Sequence, residues 1–136
     1  MTLTDAGPLI ALIDSGEPDH EICRRTLEQL ELPLLTTWPA FTEAIYLLGQ
    51  AAGWPGKAAL WTMTKRDTLT FAELDASLSL RCADLMERYR DHPMDFADAS
   101  LVAVAEARDL RTVFTLDEHF RSYQLSNRRH LVVVPD

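Results

Sequence analysis

The 136-residue chain has no run of about 18 apolar residues, which excludes a membrane-spanning helix. Cysteine is nearly absent. Cys23 and Cys82 stand on separate predicted helices and form no CxxC or Cys/His cluster, so neither a thiolate metal site nor a disulfide is expected. The four histidines, His20, His92, His119 and His130, are scattered and make no HExxH pattern. Phosphate-cradling loops of the GxxxxGK[ST] and GxGxxG kinds are missing, as is a GxSxG nucleophile elbow. Positive charge is short as well: 13 Lys and Arg stand against 21 Asp and Glu, a net charge of −8. That balance argues against broad nonspecific nucleic-acid binding, which rests on neutralising phosphates. It leaves room for a nucleic acid met at a local basic patch, and it suits a basic protein partner.

What is present is an ordinary globular composition, 47% apolar and 25% charged, in a length that makes one domain, residues 1–136. The opening MTLTDAGPLIALIDSG has no basic segment before its apolar stretch and contains Asp5, so it does not read as a signal peptide, and a cytoplasmic protein is expected. Thr2–Thr4 alternates as a strand, and AGPLIALID follows as a helix with Pro8 in its first turn, where a missing N–H is harmless. HEICRRTLEQLE is helical and Leu32–Thr37 is a short buried strand. TWPAFTEAIYLLGQAAG is a helix capped by Thr37, with Phe41, Ala44, Ile45, Leu47 and Leu48 facing inward. Another helix covers Trp54–Arg66, a strand Thr68–Phe71, and a helix Asp75–Tyr89 with Leu78, Leu85 and Met86 on one side. PMDFADASLVAVAEARDLRTVFTLDEHF then reads as helix, turn, strand and terminal acid. Tyr123–His130 reads as loop ahead of the β-rich Leu131–Val134. Strands alternating with helices predict an α/β fold on a parallel sheet, with helices on both faces.

In such sheets ligands bind outside the carboxyl ends of the strands. Four separate elements direct an acid to that edge: Asp5 after the first strand, Glu43 early in a helix, Asp98 at a helix start, and Asp117 after TVFTL. Each has an ordinary local explanation. Asp5 suits an N-cap, and Glu43 complements a helix N-terminus for less than about 1 kcal/mol. Gathered together, however, carboxylates repel unless a cation neutralises them or one is protonated. Hard oxygen donors without His or Cys favour Mg2+ or Mn2+, ions that assist attack of water on a phosphodiester. The residues therefore point to metal-dependent phosphoryl chemistry.

The ordered set TDAGPLIALID, FTEAIYLL, DFADASLVAVAEA and VFTLDEHF resembles the PIN domain family, in its VapC-type toxin class, over almost the whole chain. The resemblance implies an RNase H-like three-layer α/β/α fold and a Mg2+- or Mn2+-dependent endoribonuclease that hydrolyses RNA phosphodiester bonds. By position, Asp5, Glu43, Asp98 and Asp117 match the four family acids. Asp5, Asp98 and Asp117 are then the direct metal ligands, while Glu43 holds a second ion, binds through water or orients the nucleophile. Thr115 matches the small hydroxyl residue two before the fourth acid. Asp95, on nearly the same helix face as Asp98, is either a ligand acting through water or the helix cap. RNA phosphates would be met by Lys57, Lys65, Arg66, Arg81 or Arg88, residues that solvated helix faces explain equally. The resemblance also implies a cognate antitoxin protein and a homodimer, with Trp54, Trp61 and Met63 as interface or core residues. The alternative is a non-catalytic binding module on the same scaffold, against which the complete acid set argues.

Overall fold

The computed structural model describes residues 1–136. Its sheet contains β1 (Thr2–Thr4), β2 (Leu34–Thr36), β3 (Leu69–Phe71), β4 (Thr112–Phe114) and β5 (Val132–Val134), in the order β3-β2-β1-β4-β5. Every pairing is parallel, so the mainly parallel sheet expected from sequence is wholly parallel. β1 and β2 are buried along their whole length and β4 over Val113 and Phe114, which is why Leu34 and Leu35, and Val113 and Phe114, form apolar runs.

From β1 the chain passes through α1 (Ala6–Ile13) and α2 (His20–Leu27) to β2, then through α3 (Trp38–Lys65) to β3. α4 (Ala76–Arg88) and α5 (Phe96–Arg108) then carry it back to β4, on the other side of β1. The connections leaving β1 and arriving at β4 therefore diverge, which opens a crevice at the carboxyl ends of these two strands. One face of the sheet packs Leu9, Phe41, Leu48 and Leu60 from α1 and α3. The other packs Leu85 of α4 and Leu101, Val102 and Val104 of α5. Helix α5 is buried continuously from Ala97 to Ala105, as suits a helix of small and apolar residues on all sides.

Two inward assignments change. Leu47 and Met86 are exposed, because the buried stripes narrow to Phe41, Ala44 and Leu48 on α3 and to Cys82 and Leu85 on α4. The two helices expected on either side of residue 53 are both present, the two halves of α3, which is broken at Gly53, whose φ of 63° favours glycine. Trp54 beside that break is 68% exposed, whereas Trp61 sets its edge on Phe41 at 4.8 Å and Met63 is half-buried. The stretch after Phe120 is largely coil as expected, but Tyr123 within it is fully buried against Tyr89 and Phe120. No helix is long and apolar enough to cross a membrane.

Candidate active site

Asp5 leaves the end of β1 with its N–H donated to the Phe114 carbonyl of β4, at 2.9 Å. Its side chain does two things at once. Oδ1 accepts from the Ala6 N–H at 2.8 Å, capping α1, and Oδ2 accepts from the Thr115 hydroxyl at 2.8 Å. The cap and the shared edge are thus the same geometry rather than rival explanations. Burial pushes the Asp5 carboxyl up from its ordinary value, against these two hydrogen bonds.

Thr115 follows β4 and is buried. While its hydroxyl donates to Asp5, its oxygen accepts from the Asp117 N–H at 3.0 Å, so one side chain ties two acids into a single bend. Asp117 Oδ1 accepts from the His119 N–H at 2.9 Å and lies 2.7 Å from His119 Nδ1, capping the short 3₁₀ turn Glu118–Arg121.

Asp98 sits in the first turn of α5 and is only 6% exposed. Its N–H donates to Asp95 Oδ1 at 2.8 Å, which makes Asp95 the N-cap of that helix. Tyr123, which nothing local in the sequence singles out, donates its hydroxyl to Asp98 Oδ2 at 3.3 Å. Burial first, and then the charges of Asp95, Asp5 and Asp117, push the Asp98 carboxyl up to about 8. Glu43 is exposed overall, yet its carboxyl is also held above the ordinary value, by partial shielding and by the same three acids.

Asp5, Glu43, Asp95, Asp98 and Asp117 line one cavity of 320 Å³ at the carboxyl ends of β1 and β4. Within it no three carboxylates are gathered tightly enough to enclose an ion as they stand. Each of the four aspartates is drawn to its own partner: Asp5 to Ala6 and Thr115, Asp95 to the Asp98 N–H, Asp98 to Tyr123, and Asp117 to His119.

None of the basic side chains expected to meet phosphate lines this cavity. Lys65 and Arg66 lie at the end of α3, just ahead of β3, and therefore near the opposite, amino edge of a parallel sheet. Arg88 donates to Gln124 Oε1 at 3.1 Å. Arg81 donates from Nε and Nη2 to the two carboxylate oxygens of Glu106, at 2.8 and 3.0 Å, joining α4 to α5. The Glu106 side chain is 8% exposed, so Arg81→Met leaves a shielded carboxylate without its partner. We expect a loss of about 1–3 kcal/mol in urea unfolding. Unchanged stability would show the pair to be a surface contact only.

The chain matches the PIN domain family over residues 2–124. It belongs to the PIN domain family. Ribonuclease VapC26 of Mycobacterium tuberculosis is 25% identical to it over 134 residues, spanning 98% of this chain and 99% of that protein. In fold, this PIN domain is similar to the Mycobacterium tuberculosis toxin VapC20, described as cleaving the sarcin-ricin loop. The TM-score is 0.80 at 17% identity, covering 86% of this chain and 90% of the other. It is also similar to a chain of a toxin-antitoxin complex from Klebsiella pneumoniae, with a TM-score of 0.64, 19% identity, and 86% and 87% of the two chains covered. VapBC2 of Rickettsia felis, bound to a DNA fragment from its promoter, gives a TM-score of 0.66 at 12% identity, over 97% and 96% of the two chains.

The donor set of this PIN domain fits a hard divalent cation. Its cavity carries five carboxylates and no imidazole or thiolate, and its most buried pair, Asp5 and Asp98, is held toward the protonated form. A cation relieves that repulsion, and protonation is the only alternative the cavity offers.

Proposed function

We propose that this PIN domain is a Mg2+- or Mn2+-dependent endoribonuclease, the toxin of a toxin–antitoxin pair, with its site in the carboxylate cavity. The observation that carries this reading is the meeting of Asp5, Glu43, Asp98 and Asp117, from four separate elements, in one cavity at the strand ends of a PIN domain. The VapC26 relative and the toxin-antitoxin structures support the same reading.

In it, Asp5, Asp98 and Asp117 would hold the cation, which would supply activation of water and offset charge building on the phosphate oxygens. Glu43, on the exposed rim, accepts a hydrogen bond from the attacking water or binds the ion through water. Asp95 caps α5 and so sets the direction in which Asp98 leaves the helix. Thr115 fixes the bend that brings Asp5 and Asp117 together, and Tyr123 holds Asp98. No cationic side chain lines the cavity, so the positive charge toward a phosphate would have to come from the ion those carboxylates would hold. The partners are RNA and a cognate antitoxin, for which a basic segment complements the acid cavity. A second copy of the chain is a further partner, for which Trp54 is the most exposed candidate.

The direct test is cleavage of an RNA pool by the purified protein with Mg2+ or Mn2+. Activity is expected with either ion and absent in chelator; cleavage that persists in chelator would remove the metal from the mechanism. Thr115→Val should lower activity and divalent affinity about 10–100-fold, while Thr115→Ser, which keeps the hydroxyl, restores most of both. Equal behaviour of the two variants would assign Thr115 a packing role only.

A further inference from the structure

A second depression opens beside the carboxylate cavity and shares Glu43 and Asp95 with it. It measures 870 Å³ and is walled by Trp38, Tyr46, Leu74 and Phe96. Helix geometry explains the wall: Trp38, Thr42 and Tyr46 are spaced i, i+4, i+8 along α3 and lie on one face, with Glu43 next to them. Phe96 opens α5 between Asp95 and Asp98. Three large aromatic rings are thereby left open to solvent around one groove, Trp38 at 48%, Tyr46 at 62% and Phe96 at 47% exposure.

Trp38 is not loose. One face of its indole stacks on Phe71 with centroids 3.8 Å apart and planes 4° from parallel, and Phe41 meets it edge-on at 5.6 Å. The exposed half of the ring is therefore its other face and rim, presented in a fixed orientation. No Lys or Arg lines this groove or the carboxylate cavity, so neither attracts a polyanion through its phosphates. What the groove offers a nucleic acid is aromatic surface, with Thr42, whose hydroxyl donates to the Trp38 carbonyl at 2.7 Å, and Ser79 also in its lining.

Resting on the ribonuclease reading above, we propose that this groove is the nucleobase subsite of the same active site. A base next to the scissile phosphate leaves the strand and stacks on the open face of Trp38, which helps to select the cleavage position. Base–aromatic stacking supplies affinity without cationic contacts, because every base has a π-face. Sharing Glu43 and Asp95 makes the groove continuous with the acids, so a base seated there adjoins the phosphate they would act on. A docked peptide would use the same apolar wall, but the continuity with the carboxylates and the fixed, half-covered indole favour a flat ring adjoining a phosphate.

The test uses the full chain with Mg2+ or Mn2+ and a randomised single-stranded RNA pool, with the cleaved ends sequenced. Wild type should show a base preference at a nucleotide beside the cut. Trp38→Leu should flatten that preference and lower kcat/KM for the best sequence about 10–100-fold, with Trp38→Phe retaining most of it. An abasic nucleotide at the preferred position should cost wild type a similar factor and cost Trp38→Leu nothing further. Tyr46→Ala, which removes an exposed ring and one hydrogen bond from Gln50, serves should Trp38→Leu not fold. It should lower kcat/KM on the same substrates in the same direction. A folded Trp38→Leu with wild-type rate and preference, or an abasic cost equal in both proteins, overturns the subsite while leaving the ribonuclease reading standing. So does a variant that cleaves normally but loses affinity for a protein partner, which would make the groove a protein-docking face. Wild type that cleaves no RNA in the pool removes both.

Discussion

Asp98→Asn should stop RNA cleavage and, at the same time, raise the melting temperature of the cation-free protein. The two effects share one cause. Asp98 is nearly enclosed at the start of α5 and faces Asp95, Asp5 and Asp117, so its ionised form is costly and its carboxyl is pushed up to about 8. Asparagine has almost the same shape and can still accept from Tyr123, but it never carries the charge. The gain depends on pH. At pH 8.5 the wild-type carboxyl is largely ionised in place, and its removal should add roughly 2–4 kcal/mol, about 10 °C. At pH 5 wild-type Asp98 is neutral in the folded protein and the gain should be smaller, and it should vanish only below the unfolded value near 3.8. Cleavage should fall about a thousandfold or more, because a direct ligand of the ion is lost. Full activity in Asp98→Asn, or a lower melting temperature in chelator at pH 8.5, would take this residue out of the site. A residue kept at the expense of stability is the ordinary signature of a functional position.

The second large effect is a link between pH, divalent ions and stability. Asp5, Glu43 and Asp98 all have folded-state values raised above their unfolded ones. Between about pH 4 and pH 8 the folded chain therefore binds more protons than the unfolded chain, and its stability falls as pH rises. The contribution is complete below the unfolded value near 3.8 and is lost as pH passes the Asp98 value of about 8. In chelator, the melting temperature should decline across this window, and the slope should be shallower in Asp98→Asn. Mg2+ should reverse the decline, since an ion that binds only the folded state stabilises it by about 2.7 kcal/mol at a hundred times its dissociation constant. Because protons and the cation compete for the same oxygens, the Mg2+-induced rise should grow from pH 5 to pH 8.5. Calorimetric scans at four pH values with chelator or Mg2+ would read this directly. An increment that does not vary with pH would place ion binding elsewhere than on these carboxylates.

Much of this protein is legible in its residues because the relevant forces are local. Thr37, Asp75 and Asp95 each stand one residue before a helical run, and each accepts from a backbone N–H of the helix it precedes. The run Ala97–Ala105 reads as a helix from its sequence, and the structure encloses it on all sides with Asp98 near its start. Alternation of strands and helices was enough for a parallel sheet, and a parallel sheet was enough to send Asp5 and Asp117 to one end of it.

The basic residues show where that reasoning stops. Arg81 and Arg88 share a helix face, yet what they meet depends on α5 and on the coil beyond it: Arg81 is held by Glu106 and Arg88 by Gln124. Lys65 and Arg66 look free in sequence, but the direction of β3 puts them at the other edge of the sheet. Tyr123 and Trp38 were illegible for the same reason. A tyrosine in a coil and a tryptophan after a cap carry no local mark; Tyr123 gains its partner only when the coil folds under α5, and Trp38 gains its fixed open face only when Phe71 stacks on it. The sequence by itself determined which elements form, the direction of the sheet and the edge that receives the acids, because propensity, capping and strand direction act over a few residues. Only the tertiary structure decided how Thr115 joins Asp5 to Asp117, how far burial raises Asp98, and which cations are already paired. Those quantities depend on distance and on exclusion of water between segments up to 110 residues apart.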